Sequence, residues 1–241
     1  MPRGRARNDE DKLERRLAIL AVAKEALAST PFQAIAMAQV AERVGLAKGT
    51  LYLYFATKEE LFLALLEEEL LDWFDGFGRM LRELRVGAGP RVLAEAIRKS
   101  LESHPLLPRL LGILHAVLEQ NVAPERVVAF KRLLAEETER AGAALERCAP
   151  YLGPGQGARL ILRANALVIG LQQVASASPA VAEAIGRTPE LALFEVNFAQ
   201  ELEETLAALL MGMEREGETR VQPRTERKNR PGDGRFERPW G

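Results

Sequence analysis

The sequence predicts an all-α protein, and three observations carry that prediction. Ala, Leu, Glu and Arg dominate the composition while Val and Ile are scattered, a mixture that favours helix over strand. Apolar residues recur three and four positions apart over long stretches. No stretch alternates apolar and polar as a half-buried strand would. With 241 residues, 47% of them apolar, the chain can build one large domain or two small ones around a sizeable core.

Residues 1–11 are polar and charged and are expected to form a flexible arm. A helix follows from about Lys12 to Ser29, with Leu13, Leu17, Leu20 and Leu27 on one face and Ile19, Ala23 and Ala26 widening it; Pro31 stops it. A short helix is expected over Met37–Val44, closed by Gly45, and another over Lys48–Phe55. A long fourth helix starts at Thr57, whose hydroxyl and the carboxylate of Glu60 make a capping box. Phe62, Leu65, Leu66, Leu70, Trp73, Phe77, Leu81 and Leu84 stripe it, and Gly76 and Gly78 predict a kink or weak point. The run Gly87-Ala88-Gly89-Pro90 is a break. Helices are expected at about 90–103, 106–121, 124–148 and 156–176, a loop with one helical turn at 177–190, and a last helix at 191–213. Residues 214–241, charged with scattered Pro and Gly, read as disordered.

Charge is distributed unevenly. The net charge is only -1, yet residues 1–58 hold ten Lys or Arg against six Asp or Glu. A basic end on an acidic body suits a DNA-contacting module attached to something else. The single cysteine, Cys148, allows no internal disulfide and fits a reducing, cytoplasmic setting; it reads as a small buried apolar residue. No apolar segment reads as a signal peptide or approaches the roughly 20 residues that span a bilayer.

The segment from Ala36 to Phe55 carries the function. Ala41 is small where a second helix must approach, and Gly45 can take the positive φ of a sharp helix stop. Val40, Val44, Leu51 and Phe55 fall on the shared core side. Lys48, Gly49, Thr50, Tyr52 and Tyr54 fall on the outer side, the part of a helix-turn-helix that enters the major groove. Lys48 can donate to guanine, Gly49 lets the backbone approach, and Thr50 can reach a phosphate or a thymine methyl. Tyr52 and Tyr54 offer hydroxyls to phosphate, and Lys58 is placed for phosphate at the start of the fourth helix.

Residues 16–63, above all the run GTLYLYF followed by TKEELF, resemble the DNA-binding domain of the tetracycline-repressor-like (TetR) regulators. The resemblance implies a DNA-binding head at 12–56 made of three helices. Behind it, at 57–213, it implies a larger helical domain that binds a small-molecule effector and forms a homodimer. It implies base-reading roles for Lys48, Gly49, Thr50 and Tyr52 and phosphate contacts for Tyr54 and Lys58. It also implies a dimer interface from the helices near 156–176 and 191–213, with Ala164, Ala166 and Gly170 allowing close packing. Pro31, Ala36 and Ala47 stand where the family usually has Gly, Thr or Ser, and Ser. A missing hydroxyl cap costs about 1 kcal/mol.

The expected function is a transcriptional regulator, a repressor released from a pseudo-palindromic operator by its effector. The alternatives are a helical protein-interaction module of the same fold without specific DNA binding, an activator, and an enzyme using the helical cavity. Little supports catalysis: two histidines and one cysteine far apart give no metal-spaced cluster, and no cofactor motif is present. A ligand pocket is expected among the fourth helix and the helices at 106–121 and 156–176. Its candidate lining is Trp73, Phe77, Leu111, His115, Leu118, Glu119 and Gln172, with Leu114 and Leu171 beside them. His104 reads as a helix-start residue, His115 as a satisfied, partly buried histidine, and Glu67-Glu68-Glu69 as a solvated face.

Overall fold

A computed structural model of the protein describes residues 3–221, and every described element is helical. The helices are α1 (Arg3–Ser29), α2 (Met37–Val44), α3 (Lys48–Tyr54), α4 (Lys58–Glu83), α5 (Pro90–Glu102), α6 (Leu107–Ile113), α7 (Pro124–Cys148), α8 (Gln156–Ala175), α9 (Pro179–Gly186) and α10 (Phe198–Val221). Three short pieces join them: 3-10 turns at Phe32–Ala34 and Pro189–Phe194, and a π-helical turn at Leu114–Leu118 that continues α6.

The N-terminal half of the fold follows the sequence closely because its stops and starts are chemical. Gly45 ends α2 with φ 74°, and Leu46 N–H donates back to Ala41 O at 2.9 Å, which closes the last turn. Thr57 caps α4 by accepting from Glu60 N–H at 3.0 Å. The Glu60 carboxylate accepts from the amide of Ala56, one residue before the position a capping box would use. Phe62, Leu65, Leu66, Trp73, Phe77 and Leu81 are all buried along α4, which runs unbroken through Gly76 and Gly78.

The ends of the chain differ from expectation. α1 begins at Arg3, so most of the segment expected to be an arm is helical. Its Arg, Glu and Lys residues are good helix formers, and a helix already nucleated downstream extends through them at little cost. Among the residues of α1 whose burial is described, Ile19, Leu20, Ala23 and Leu27 are buried, whereas Leu13 and Leu17 are exposed. α10 starts at Phe198 rather than 191, because Pro189 nucleates a 3-10 turn and Asn197 accepts from Gln200 N–H at 3.2 Å as a cap. α10 then continues to Val221, so residues 214–221 are helical; the rest of the expected tail lies outside the described residues. The single turn expected near 177–190 is the eight-residue α9, capped by Ser178.

α4 forms the centre of the body, packed by α5, α6 and α7, while α10 covers α5 and α8 covers α6 and α7. The crossing of α7 and α8 is the closest approach. A Cβ on Gly142 would fall 2.4 Å from Ala158 N, and one on Gly157 would fall 2.1 Å from Gly142 O. Neither backbone can yield without separating the helices. The run Glu67-Glu68-Glu69 is not a solvated face. Glu69 is buried and pairs with Lys24 of α1, Glu67 pairs with Arg126 of α7, and burial pushes the Glu68 carboxyl above its usual range. On a helix Glu69 shares its stripe with Phe62, Leu66 and Trp73, so its carboxylate enters the core side and needs a partner there.

Gly142→Ala should lower the unfolding free energy by about 1–3 kcal/mol, the range of a forced overpacking. Gly76→Ala, whose Cβ would meet nothing closer than the mobile end of Arg79 at 3.7 Å, should raise it by about 0.5–1 kcal/mol. Urea denaturation of the two variants against the parent reads both signs. Equal stability of Gly142→Ala and parent would rule out the tight crossing.

Candidate nucleic-acid interface

α3 is held by one side and open on the other. Leu51 and Phe55 are fully buried against α1 and α2, together with Val40 and Ala41; Val44 packs beside them, half-buried. Burying two such side chains stabilises the docked position by roughly 3–6 kcal/mol before entropy. Arg16 of α1 places its guanidinium 4.6 Å from the centre of the Phe55 ring, closing the core edge. Ala47 caps α3 with its carbonyl alone, which accepts from Thr50 and Leu51 N–H at 2.9 and 3.2 Å; it offers no side-chain acceptor. Ala36 likewise has none at the start of α2, and its own amide donates weakly to Gln39 at 3.4 Å.

The outward face of α3 then presents Lys48, Gly49 and Tyr52, all exposed, with Thr50 half-exposed. The Lys48 ammonium lies 5.9 Å from the centre of the Tyr52 ring, one turn away, so the two side chains share one stretch of surface. The ammonium of Lys48 and the hydroxyls of Thr50, Tyr52 and Tyr54 make no hydrogen bond among the described residues. Tyr54 departs from the sequence expectation in being half-buried with its ring against the core, so only its rim is presented.

Lys58 also departs, and in role. Its ammonium donates to Phe32 O at 2.9 Å and Ile35 O at 3.0 Å and sits 4.2 Å from the centre of the Phe32 ring. Two of its three protons are thus committed to the turn between α1 and α2, and the side chain ties that turn to the start of α4. The expected phosphate contact is reduced to whatever the remaining proton can reach. Sequence reasoning missed this because the carbonyls that hold it belong to a turn no motif announces.

The body contains a cavity of about 290 Å³ enclosed by α4, α5, α6, α7 and α8. Of the candidate ligand residues, Trp73, Phe77, Leu111 and His115 line it, and so does Leu114. Leu118 is fully buried elsewhere in the core. Glu119 stands outside the lining and binds His115 Nδ1 at 3.1 Å and Lys131 at 2.5 Å. Burial alone would raise the Glu119 carboxyl, but Lys131 and His115 hold it below its usual range. Gln172 donates to Ser176 at 2.6 Å and takes no part. His115 is more exposed than a core histidine, and His104 is the buried one, with Nδ1 3.8 Å from Glu69. α7 and α5 were missed as walls; they bring Lys131, Leu134 and Thr138, and Ile97 and Leu101. Cys148 is buried as expected, its thiol donating to Leu81 O at 3.0 Å.

Besides the apolar packing of α1 on α4, polar contacts tie the head to the body. Lys24 of α1 pairs with Glu69 of α4, beside the cavity residue Leu70. Arg109 of α6, between the cavity residues Leu107 and Leu111, donates to Ala28 O at the end of α1 at 3.3 Å. Thr57 donates to Asn121 O just beyond the π-helical turn at 3.1 Å.

Comparison with known proteins finds two family models along the chain. Residues 19–65 match the family model of bacterial regulatory proteins of the tetR family, and residues 67–217 match that of the tetracyclin repressor-like C-terminal domain. No curated protein matches the chain. Among solved structures, a candidate transcriptional regulator from Streptomyces coelicolor A3(2) is 19% identical with a TM-score of 0.49, over 82% of this chain and 98% of its own. A second from the same organism is 20% identical with a TM-score of 0.44, over 83% and 97%. AmtR from Mycobacterium smegmatis is 21% identical with a TM-score of 0.44, over 80% and 92%.

Lys58→Met should destabilise the head by about 1–3 kcal/mol, the cost of two carbonyls left without their donor. Its effect on DNA affinity should therefore track the loss of stability, and the salt dependence of binding should keep its slope. A slope reduced by about one unit, with unchanged thermal stability, would instead mark Lys58 as a phosphate ligand.

Proposed function

The chain belongs to the tetR family of bacterial regulatory proteins, and from that premise we propose that it is a transcriptional repressor. It acts in the cytoplasm as a homodimer on a pseudo-palindromic operator and leaves that operator when a small molecule fills the cavity. The observation that carries the DNA reading is the outer face of α3. Three polar side chains, Lys48, Thr50 and Tyr52, without hydrogen-bond partners among the described residues, project from a helix whose other side is locked in the core. Lys48, Gly49, Thr50 and Tyr52 read bases, Tyr54 contacts phosphate from its rim, and Lys58 positions the turn beside them.

Dimerisation is supported by a stripe on α8. Leu162, Ala166, Gly170 and Val174 recur every fourth residue and are all exposed. Ala208 and Gly212 are exposed on α10, with Leu209 and Met211 half-exposed beside them. Ala164 does not belong to this face, being buried in the chain's own core. The effector reading is supported by the joint described above, in which α4 and α6 both line the cavity and hold the head. No single helix among the described residues is long and apolar enough to cross a membrane.

Fluorescence anisotropy on duplex DNA from upstream of the gene, with random duplex as competitor at two salt concentrations, tests the DNA reading. Competitor-resistant, salt-sensitive binding is expected. Lys48→Ala should relax preference at particular base pairs by about 1–3 kcal/mol. Retention no better than on random DNA, repeated with sheared genomic DNA, would favour an interaction module instead. Ala166→Glu should sediment as a monomer and lose specific binding; a dimeric Ala166→Glu protein would move the interface off α8.

A further inference from the structure

The cavity's lining is specific enough to name the chemistry of what it holds. One wall is aromatic: Trp73 stacks on Phe77 with ring centres 5.2 Å apart and planes 9° from parallel. The Trp73 N–H is spent outside the cavity, donating to Ser100 Oγ at 2.9 Å, and Ser100 donates in turn to Ile97 O at 2.7 Å. The rings therefore offer only apolar surface. Leu, Ile and Val side chains make up most of the remaining wall. The volume, about 290 Å³, accommodates on the order of ten water-sized groups.

The polar residues of the lining are His115, Lys131, Thr138 and Asn165, and no acidic side chain is among them. All four can donate hydrogen bonds, and Lys131 carries the lining's permanent charge. Lys131 is ion-paired with Glu119 at 2.5 Å and has hydrogen-bond donors to spare for a ligand. Glu119 itself lies outside the lining, its Oε2 on His115 Nδ1 and its buried Oε1 ion-paired with Lys131 without a hydrogen bond. Thr138 is buried, and neither its hydroxyl nor the Asn165 amide has a hydrogen-bond partner among the described residues. Neither is among the buried atoms left without a partner, so both groups face the open space of the cavity. An oxygen-bearing ligand can accept from these groups, whereas an ammonium would face the like charge of Lys131 with no acidic side chain in the lining.

We propose that the cavity binds a compact amphipathic carboxylate, its head at the Lys131 end and its hydrocarbon or aryl body against Trp73 and Phe77. The proposal rests on the reading of this cavity as the effector site, and extends it from an unspecified small molecule to a charge, a size and an orientation.

Three probes with the same eight-carbon body isolate the head: octanoate, octanol and octylamine. Trp73 reports binding directly in a Trp240→Phe protein, since the chain has only these two tryptophans. Octanoate should bind about tenfold more tightly than octanol, the margin that an ionised acceptor adds over a neutral one at the same ammonium, and octylamine most weakly. Lys131→Met should remove the preference for octanoate by weakening octanoate far more than octanol; general damage to the cavity would weaken both alike. Octanol or octylamine binding as well as octanoate, a preference that survives Lys131→Met, or no response to any probe overturns the proposal. Operator release measured alongside separates it from the effector reading. Octanoate bound without release would sink the effector role and leave the ligand class, and release by octylamine alone would do the reverse.

Discussion

The ammonium of Lys58 is the contact on which the head's geometry depends. A cation in the first turn of a helix faces the positive end of the dipole, at a cost of about 0.3–1 kcal/mol. Here the cost is offset in two ways. Phe32 O and Ile35 O accept two of its protons, and Glu59 and Glu60 sit in the same first turn. Phe32 adds its ring under the ammonium and its edge against Phe62 of α4, with centres 5.1 Å apart and planes at 81°. One side chain thus fixes the turn that leads into α2, the start of α4, and the aromatic contact between them. α3 lies between α2 and α4 in the chain and has only seven residues. Too short to hold itself, it takes its orientation from what its neighbours allow.

The same arrangement explains what could be read in advance. The limits of α2, α3 and the start of α4 were legible because Gly45, Thr57 and Glu60 act locally, within a turn of where they stand. The family signature over GTLYLYF and TKEELF lies in the same segment, so fold class and outer face were both available from residues alone. Lys58 was not, because its acceptors are backbone carbonyls more than twenty residues away. Glu69 could have been found: spacing from Phe62, Leu66 and Trp73 puts it on the buried stripe, but a run of three glutamates hides one that faces inward. The cavity's polar residues were half legible. His115 was on a helix already suspected, whereas Thr138 and Lys131 belong to α7, whose apolar stripe gave no reason to separate lining from core.

α9 and the 3-10 turn at Pro189–Phe194 obey a different constraint. They pack mainly on each other, none of the residues whose burial is described between Ser178 and Asn197 is buried, and Leu193 is 86% exposed. Local capping by Ser178 and proline at the first position of each piece suffices to form them. Local chemistry alone produces helices here that no core demands, which is why their number and limits were the least readable part of the body.

The polar contacts that α6 and the end of its π-helical turn make with the head are few, in a way that suits the proposed release, while α1 stays packed on α4. Two side-chain to backbone hydrogen bonds, Arg109 to Ala28 O and Thr57 to Asn121 O, are worth about 1–3 kcal/mol together at typical net strengths. Coupling free energies between sites are commonly of the same size. A ligand of about ten atoms gains more than that in total even at modest efficiency per atom. It therefore needs to spend only part of its binding free energy on displacing α6 by enough to lose these two contacts. The reciprocal follows by linkage: operator DNA, by holding the head, must weaken the ligand by the same factor as the ligand weakens the operator.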